Sequence, residues 1–327
     1  MIPKVITGSA ATIVTMRRRS LLLGLAAAGS GLAGCTAAGR PSTGASGSSA
    51  PILASTKGST LAPRTVTPVV PPAGSAPQQA YAVSTRDLPF TRGDRNLPTR
   101  VWYPEGTGRF PVILFSHGLT AQPGDYEAML TRWAQVGFVV AGPRYPNTWY
   151  GAEDLDPSDI VNQPADASAV LDQLLALDRA GDPLGALLDS GRLAAAGHSA
   201  GAITTVGLFS KDRDRRLRAG IVQAGTDFQG APFTGPPAAM LFVHGRDDET
   251  VAYAAGHTVF DAVPWSRAML TVTGGGHVTT GADFEATTST TTEFLRWSLY
   301  GDTTARARIP AAAAKGGVAT LEDQLTA

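Results

Sequence analysis

A chain of 327 residues with 27 Lys and Arg against 27 Asp and Glu carries no net charge, which excludes the broad basic face that displaces counterions from a nucleic acid. A single cysteine excludes a disulfide framework and a thiolate metal cage, so a packed core has to hold the fold. No motif implies a metal or a cofactor, and no nucleic-acid partner is expected.

Residues 1–35 read as an export signal. Arg17, Arg18 and Arg19 precede an apolar run from Leu21 to Ala28, and small residues lead to Leu32-Ala33-Gly34-Cys35. That run is too short and too rich in Gly and Ala to span roughly 30 Å of hydrocarbon as an anchor. Leu-Ala-Gly-Cys resembles a bacterial lipobox, which implies a lipid on Cys35 and, through it, the membrane as a partner. Arg18-Arg19-Ser20-Leu21-Leu22 resembles a twin-arginine pattern with Arg17 in place of the usual hydroxyl residue, so Sec and twin-arginine export both stay open. Residues 1–15 have no place in such a signal, and Met16 is the expected start. Residues 36–79 are dominated by Ser, Thr, Gly, Ala and Pro; they offer too little apolar surface to offset ordering entropy and read as a disordered tether.

Residues 80–300 carry the pattern of a folded domain. Val101 to Tyr103 and Val112 to Phe115 read as strands. Tyr126 to Val136 reads as a helix, with Met129, Leu130, Trp133 and Val136 on one stripe. Phe138 to Ala141 is the next strand, Ala165 to Leu177 a helix, and Leu193 to Ala196 a short strand that runs into Gly197. A helix is expected to start at Ser199. Ala219 to Val222, Met240 to Val243 and Ala268 to Val272 are continuous apolar strands, and Phe284 to Leu299 is a closing helix. Unbroken apolar strands between helices imply an α/β fold, a mostly parallel central sheet with helices on both faces. Ligands of such sheets sit beyond the carboxyl ends of the strands. Residues 301–327 read as a helix or a loose tail.

The chemistry gathers at the ends of those strands. Gly197-His198-Ser199-Ala200-Gly201 stands between a strand and a helix, where a sharp turn lifts the serine hydroxyl outward and the first helical amides face a developing oxyanion. A plain helix N-cap serine is the competing reading. Of the five histidines, His277 alone ends a late strand; Gly274, Gly275 and Gly276 beside it indicate a tight loop. His277 is therefore the expected general base for Ser199. Asp247, Asp248 and Glu249 are adjacent candidates for the acid that orients the imidazole. The spacing of Gly245, Asp248 and Val251 favours Asp248. The backbone amides of Leu119, in Phe115-Ser116-His117-Gly118-Leu119, and of Ala200 are the expected oxyanion donors.

Together with Asn96 to Pro104, these motifs resemble the α/β-hydrolase superfamily, in particular bacterial lipases, cutinase-like polyester hydrolases, platelet-activating-factor acetylhydrolases and dienelactone hydrolases. The resemblance runs roughly from Asp87 to Leu299 and implies a serine hydrolase acting on carboxylic esters, with an ester or lipid as substrate. Leu119 and Ala200 stand where polyester hydrolases of this kind usually carry an aromatic residue and a Met, so polyester hydrolysis is not implied. About fourteen residues from Gly225 to Ala238 separate two strands before the acid, too few for a large lid domain. Trp149, Tyr150, Phe228, Phe233 and Trp265 are candidates to line an apolar pocket, with ordinary packing as the alternative. A peptidase or amidase, and a non-catalytic cell-surface binding protein on the same fold, are the competing functions.

Overall fold

The computed structural model describes residues 66–327; the export signal, Met16 and Cys35 lie outside the described residues. Its centre is a nine-stranded sheet. In chain order the elements are β1 (Val83–Arg92), β2 (Arg95–Pro104), β3 (Phe110–Ser116), α1 (Glu127–Gln135), β4 (Val139–Pro143), α2 (Gln163–Arg179), β5 (Leu188–His198) and α3 (Ala200–Phe209). They continue with β6 (Leu217–Gln223), β7 (Ala239–Gly245), α4 (Tyr253–Ala262), β8 (Arg267–Val272), α5 (Gly281–Tyr300), α6 (Thr303–Ala313) and β9 (Ala319–Gln324). The spatial order is β1-β2-β4-β3-β5-β6-β7-β8-β9. Strands β4, β3, β5, β6, β7 and β8 run parallel, while β1 and β2 at one edge and β9 at the other pair antiparallel.

The two faces of the sheet explain why the parallel strands are apolar throughout. Successive side chains point to opposite faces, and here both faces are covered. Val112 and Leu114 of β3 pack with Val170 and Leu174 of α2, Val206 of α3 and Phe260 of α4. Ile113 and Phe115, the alternate residues, join Leu130 and Trp133 of α1, Phe294 and Trp297 of α5, and Ile309 of α6. Helices α2, α3 and α4 therefore cover one face and α1, α5 and α6 the other. Fully burying one such large apolar side chain contributes roughly 1.5–3 kcal/mol.

Two expectations change at the ends. The tether was expected to reach residue 79, yet residues 66–79 lie against the domain. Thr67 bridges Trp265, the Val69 amide donates to the Thr326 carbonyl, and Val69 and Ala76 are buried. Composition registers how little apolar surface a segment carries; it does not register that the residues just before β8 and the C-terminal residues offer its backbone partners. The C-terminal residues, left open between helix and tail, form α6 and then β9, an edge strand paired to β8. Residues 224–238, between β6 and β7, contain no helix or strand, and no lid domain is inserted there.

Candidate active site

The nucleophile's turn is built by sterics. Ser199 has φ 56° and ψ −120°, a conformation that costs an L-residue energy and persists only where its surroundings enforce it. They do so here. A Cβ on Gly197 would overlap the Gly201 carbonyl, and one on Gly201 would overlap the Ser116 carbonyl, so strand β5, helix α3 and the end of β3 meet only because both residues are glycine. The Ser199 amide donates to the Gln223 carbonyl at 2.9 Å, tying the turn to the end of β6. The hydroxyl is left at the carboxyl edge of the sheet, half-buried.

Three residues from three strand ends meet there. Ser199 Oγ lies 2.9 Å from His277 Nε2, and His277 Nδ1 lies 2.8 Å from Asp248 Oδ2. A carboxylate only accepts, so Nδ1 carries the proton and Nε2 is free to accept from the serine. Asp248 Oδ1 accepts the amides of Thr250 at 2.8 Å and Val251 at 2.9 Å. Burial pushes the Asp248 carboxyl up, but His277 and these two amides outweigh it and hold the group below its ordinary value, so it stays anionic. Asp247 and Glu249, the neighbouring acids, are exposed, and it is Asp248 that hydrogen-bonds the ring. The acid and base loops are stitched directly: the Arg246 amide donates to Val272 O and the Asp247 amide to Gly275 O. Gly245 crosses so close to the Gly275 and Gly276 carbonyls that no Cβ would fit there, which accounts for the glycine ahead of the acid.

The loop after β3 closes the site on its other side. A turn from Gly118 O to the Ala121 amide presents Leu119, and Thr120 N donates to Thr148 O at 2.7 Å. Gly118 lies against the Ser199 Cβ. The amides of Leu119 and Ala200 have no hydrogen-bond partner among the described residues, the second because it opens α3. Two free amides beside a hydroxyl and an imidazole are the parts an acyl transfer needs: nucleophile, base and oxyanion donors.

Sequence reasoning missed what holds these loops together. Tyr126 Oη accepts the Gly118 amide at 3.1 Å and lies 2.9 Å from His198 Nδ1, while His198 Nε2 lies 2.8 Å from the His277 carbonyl. A carbonyl only accepts, so Nε2 carries the His198 proton and the tyrosine donates to Nδ1. Burial keeps His198 neutral, pushing it from 6.5 to about 4, and pushes Tyr126 up to about 12. One chain of hydrogen bonds thus links the oxyanion loop, the serine turn and the base loop. The only sequence signal was that His198 adjoins the serine.

The five pocket candidates divide. Phe228 and Trp265 are core residues, and Phe233 stacks edge-on against Trp265 at 5.8 Å. Trp149 lies under the Arg144 guanidinium, 4.1 Å from its ring centre, and lines a groove of about 390 Å³ with Phe90 and Pro146. Tyr150 is exposed, its hydroxyl 2.8 Å from Gln122 Nε2.

A mostly parallel sheet covered on both faces, with a strained serine between β5 and α3, defines the α/β-hydrolase architecture. Residues 73–221 match the family model described as Chlorophyllase, an ester-hydrolase family related to the α/β-hydrolases. That span takes in Leu119, Ser199 and Ala200 and ends within β6, ahead of Asp248 and His277. No curated protein matches the chain.

Proposed function

We propose that the chain is a serine hydrolase of carboxylic esters. The observation that carries this reading is the continuous contact Ser199 Oγ, His277 Nε2, His277 Nδ1, Asp248 Oδ2, at 2.9 and 2.8 Å, beside two unpartnered amides. The match of residues 73–221 to an ester-hydrolase family supports the same reaction class. Ser199 Oγ attacks the ester carbonyl as its proton passes to His277 Nε2; the carbonyl oxygen, now negative, accepts from Leu119 and Ala200. Asp248 stabilises the imidazolium. The carbon–oxygen bond to the alcohol then breaks, the leaving oxygen takes the proton from His277, and water reverses the sequence to free the acid and Ser199.

The export signal and a lipid on Cys35 complete the proposal: an enzyme held at the outer face of the membrane, acting on acyl esters or lipids met there. Its support is the order of the basic cluster, apolar run and Leu-Ala-Gly-Cys. In membrane fractions of a producing bacterium, the expected mature N-terminus is a lipidated Cys35; an unmodified residue upstream of it would overturn this part.

Turnover of a nitrophenyl ester series, with the matching anilides alongside, tests the reaction class. Ester hydrolysis that drops by about three or more orders of magnitude in Ser199→Ala is expected. Hydrolysis unaffected by that substitution, or anilides cleaved as well as esters, would contradict it.

A further inference from the structure

We propose that His244 is a positioning residue for the acid, fastening the turn from Asp248 to Val251 through its N–H to the Val251 carbonyl and setting its ring edge beside Asp248 Oδ2. The proposal rests on the reading of Ser199, His277 and Asp248 as a hydrolytic triad. His244 is the penultimate residue of β7, four residues before Asp248, with its side chain only 2 % exposed. Its Nε2 lies 2.8 Å from the Val251 carbonyl and 3.3 Å from Asp248 Oδ2, the oxygen that His277 Nδ1 meets at 2.8 Å. Because the Val251 carbonyl can only accept, Nε2 carries a proton and donates it there, which leaves the same ring edge 3.3 Å from the carboxylate oxygen.

The acid is then held from both sides. Oδ1 takes the amides of Thr250 and Val251, Oδ2 takes the imidazole N–H of the loop it must serve, and the His244 ring stands 3.3 Å behind Oδ2 on the strand side. A carboxylate rotates about its Cβ–Cγ bond unless both oxygens are held, and rotation would draw Oδ2 away from His277 Nδ1. His244 also fastens Val251 O, so the turn from Asp248 to Val251 keeps its shape. The rest of the fold makes room for the ring. A Cβ on Gly256, in the interior of α4, would overlap His244 Nδ1, and a glycine there weakens a helix by about 1 kcal/mol against alanine. Tyr253, one turn earlier, sets its ring edge-on to the imidazole at 5.8 Å. An apolar side chain would fill this space without leaving a buried imidazole to satisfy, so its polarity points to a use.

Three substitutions separate positioning from packing. In H244Q the amide reaches the ε position and offers an N–H there; in H244N it stops at the δ position; H244L offers none. With folding checked by circular dichroism, kcat on a nitrophenyl ester should fall about 10- to 100-fold in H244N and H244L, with KM within about twofold, and return to within about threefold in H244Q. Wild-type kcat in H244N or H244L, or an H244Q as slow as H244N, would overturn the proposal. Nitrogen-15 histidine spectra of the unaltered protein give a reading that no folding defect can obscure: His244 protonated at Nε2 is expected, and protonation at Nδ1 alone would overturn it. A wild-type protein that neither hydrolyses esters nor reacts with a fluorophosphonate at Ser199 would remove the hydrolase reading and this one with it. Wild-type turnover matched by the variants would remove only this one.

Discussion

Ser199 and His277 are 78 positions apart in the chain, and the serine hydroxyl and the imidazole Nε2 are 2.9 Å apart. Neither loop reaches the other by its own length. β5 and β8 are separated in the sheet by β6 and β7, and the turn after each strand leans inward, the first onto Gln223 at the end of β6 and the second onto Gly245 and Asp247 after β7. The contact is a property of sheet order as much as of the two residues.

The acid is individually replaceable, and its neighbours are a built-in control. Asp248→Asn removes the anion and lets the amide donate to Nδ1, which favours the imidazole tautomer with the proton on Nε2, where the serine needs an acceptor. A loss of roughly 10³- to 10⁴-fold in kcat is expected. Asp247→Asn, at an exposed side chain, should stay within about threefold of wild type. Steady-state kinetics of the pair decide between them, and equal losses would reassign the acid.

Tyr126→Phe tests the hydrogen-bonded chain across the three loops. The ring keeps its place against Phe115, 4.7 Å away, so the fold should survive. Without the hydroxyl, the Gly118 amide and His198 Nδ1 both lose their partner and the oxyanion loop is freed from the serine turn. The expected result is a fall in kcat of about tenfold or more with little change in KM, measured on the same ester.

Acid should destabilise the fold before any carboxylate titrates. His117 donates from Nδ1 to the Gly118 carbonyl and accepts the Tyr145 amide at Nε2, so a second proton would break that bond. Burial outweighs the help of the Gly118 carbonyl to the cation and pushes the ring from 6.5 to about 4. Above pH 6.5 the ring is neutral in both states and its contribution is whole. As the pH falls toward 4 the unfolded chain takes up a proton that the folded ring refuses, and stability declines, by about 3 kcal/mol in all from this residue. Urea midpoints between pH 7 and 4.5 should drop accordingly, and the drop should be shallower in His117→Asn. Equal slopes would show that His117 is not the group responsible.

The sequence made the middle of the fold legible and left its edges obscure, for a physical reason. Strands such as Val112 to Phe115 and Met240 to Val243 are apolar on both faces because both faces are covered, and no other element explains such runs. β1 was not foreseen: Val83 to Arg92 is an edge strand with mixed, largely polar residues, and only its pairing with β2 defines it. β9, Ala319 to Gln324, is an edge of the same kind. At the site, Ser199, Asp248 and His277 could be read because each follows a strand and has glycine neighbours. Tyr126, His198 and His244 could not. The partners of Tyr126 and His198 belong to other elements and their loops, that of His244 is a backbone carbonyl in the turn after its own strand, and no residue pattern announces such a bond.

The most direct test is reaction of the purified protein with a fluorophosphonate, followed by peptide mass mapping. One adduct on Ser199 is expected, absent in Ser199→Ala and slowed by at least about a hundredfold in His277→Ala. A folded protein that takes no adduct, or one labelled as fast without the imidazole as with it, would contradict the account.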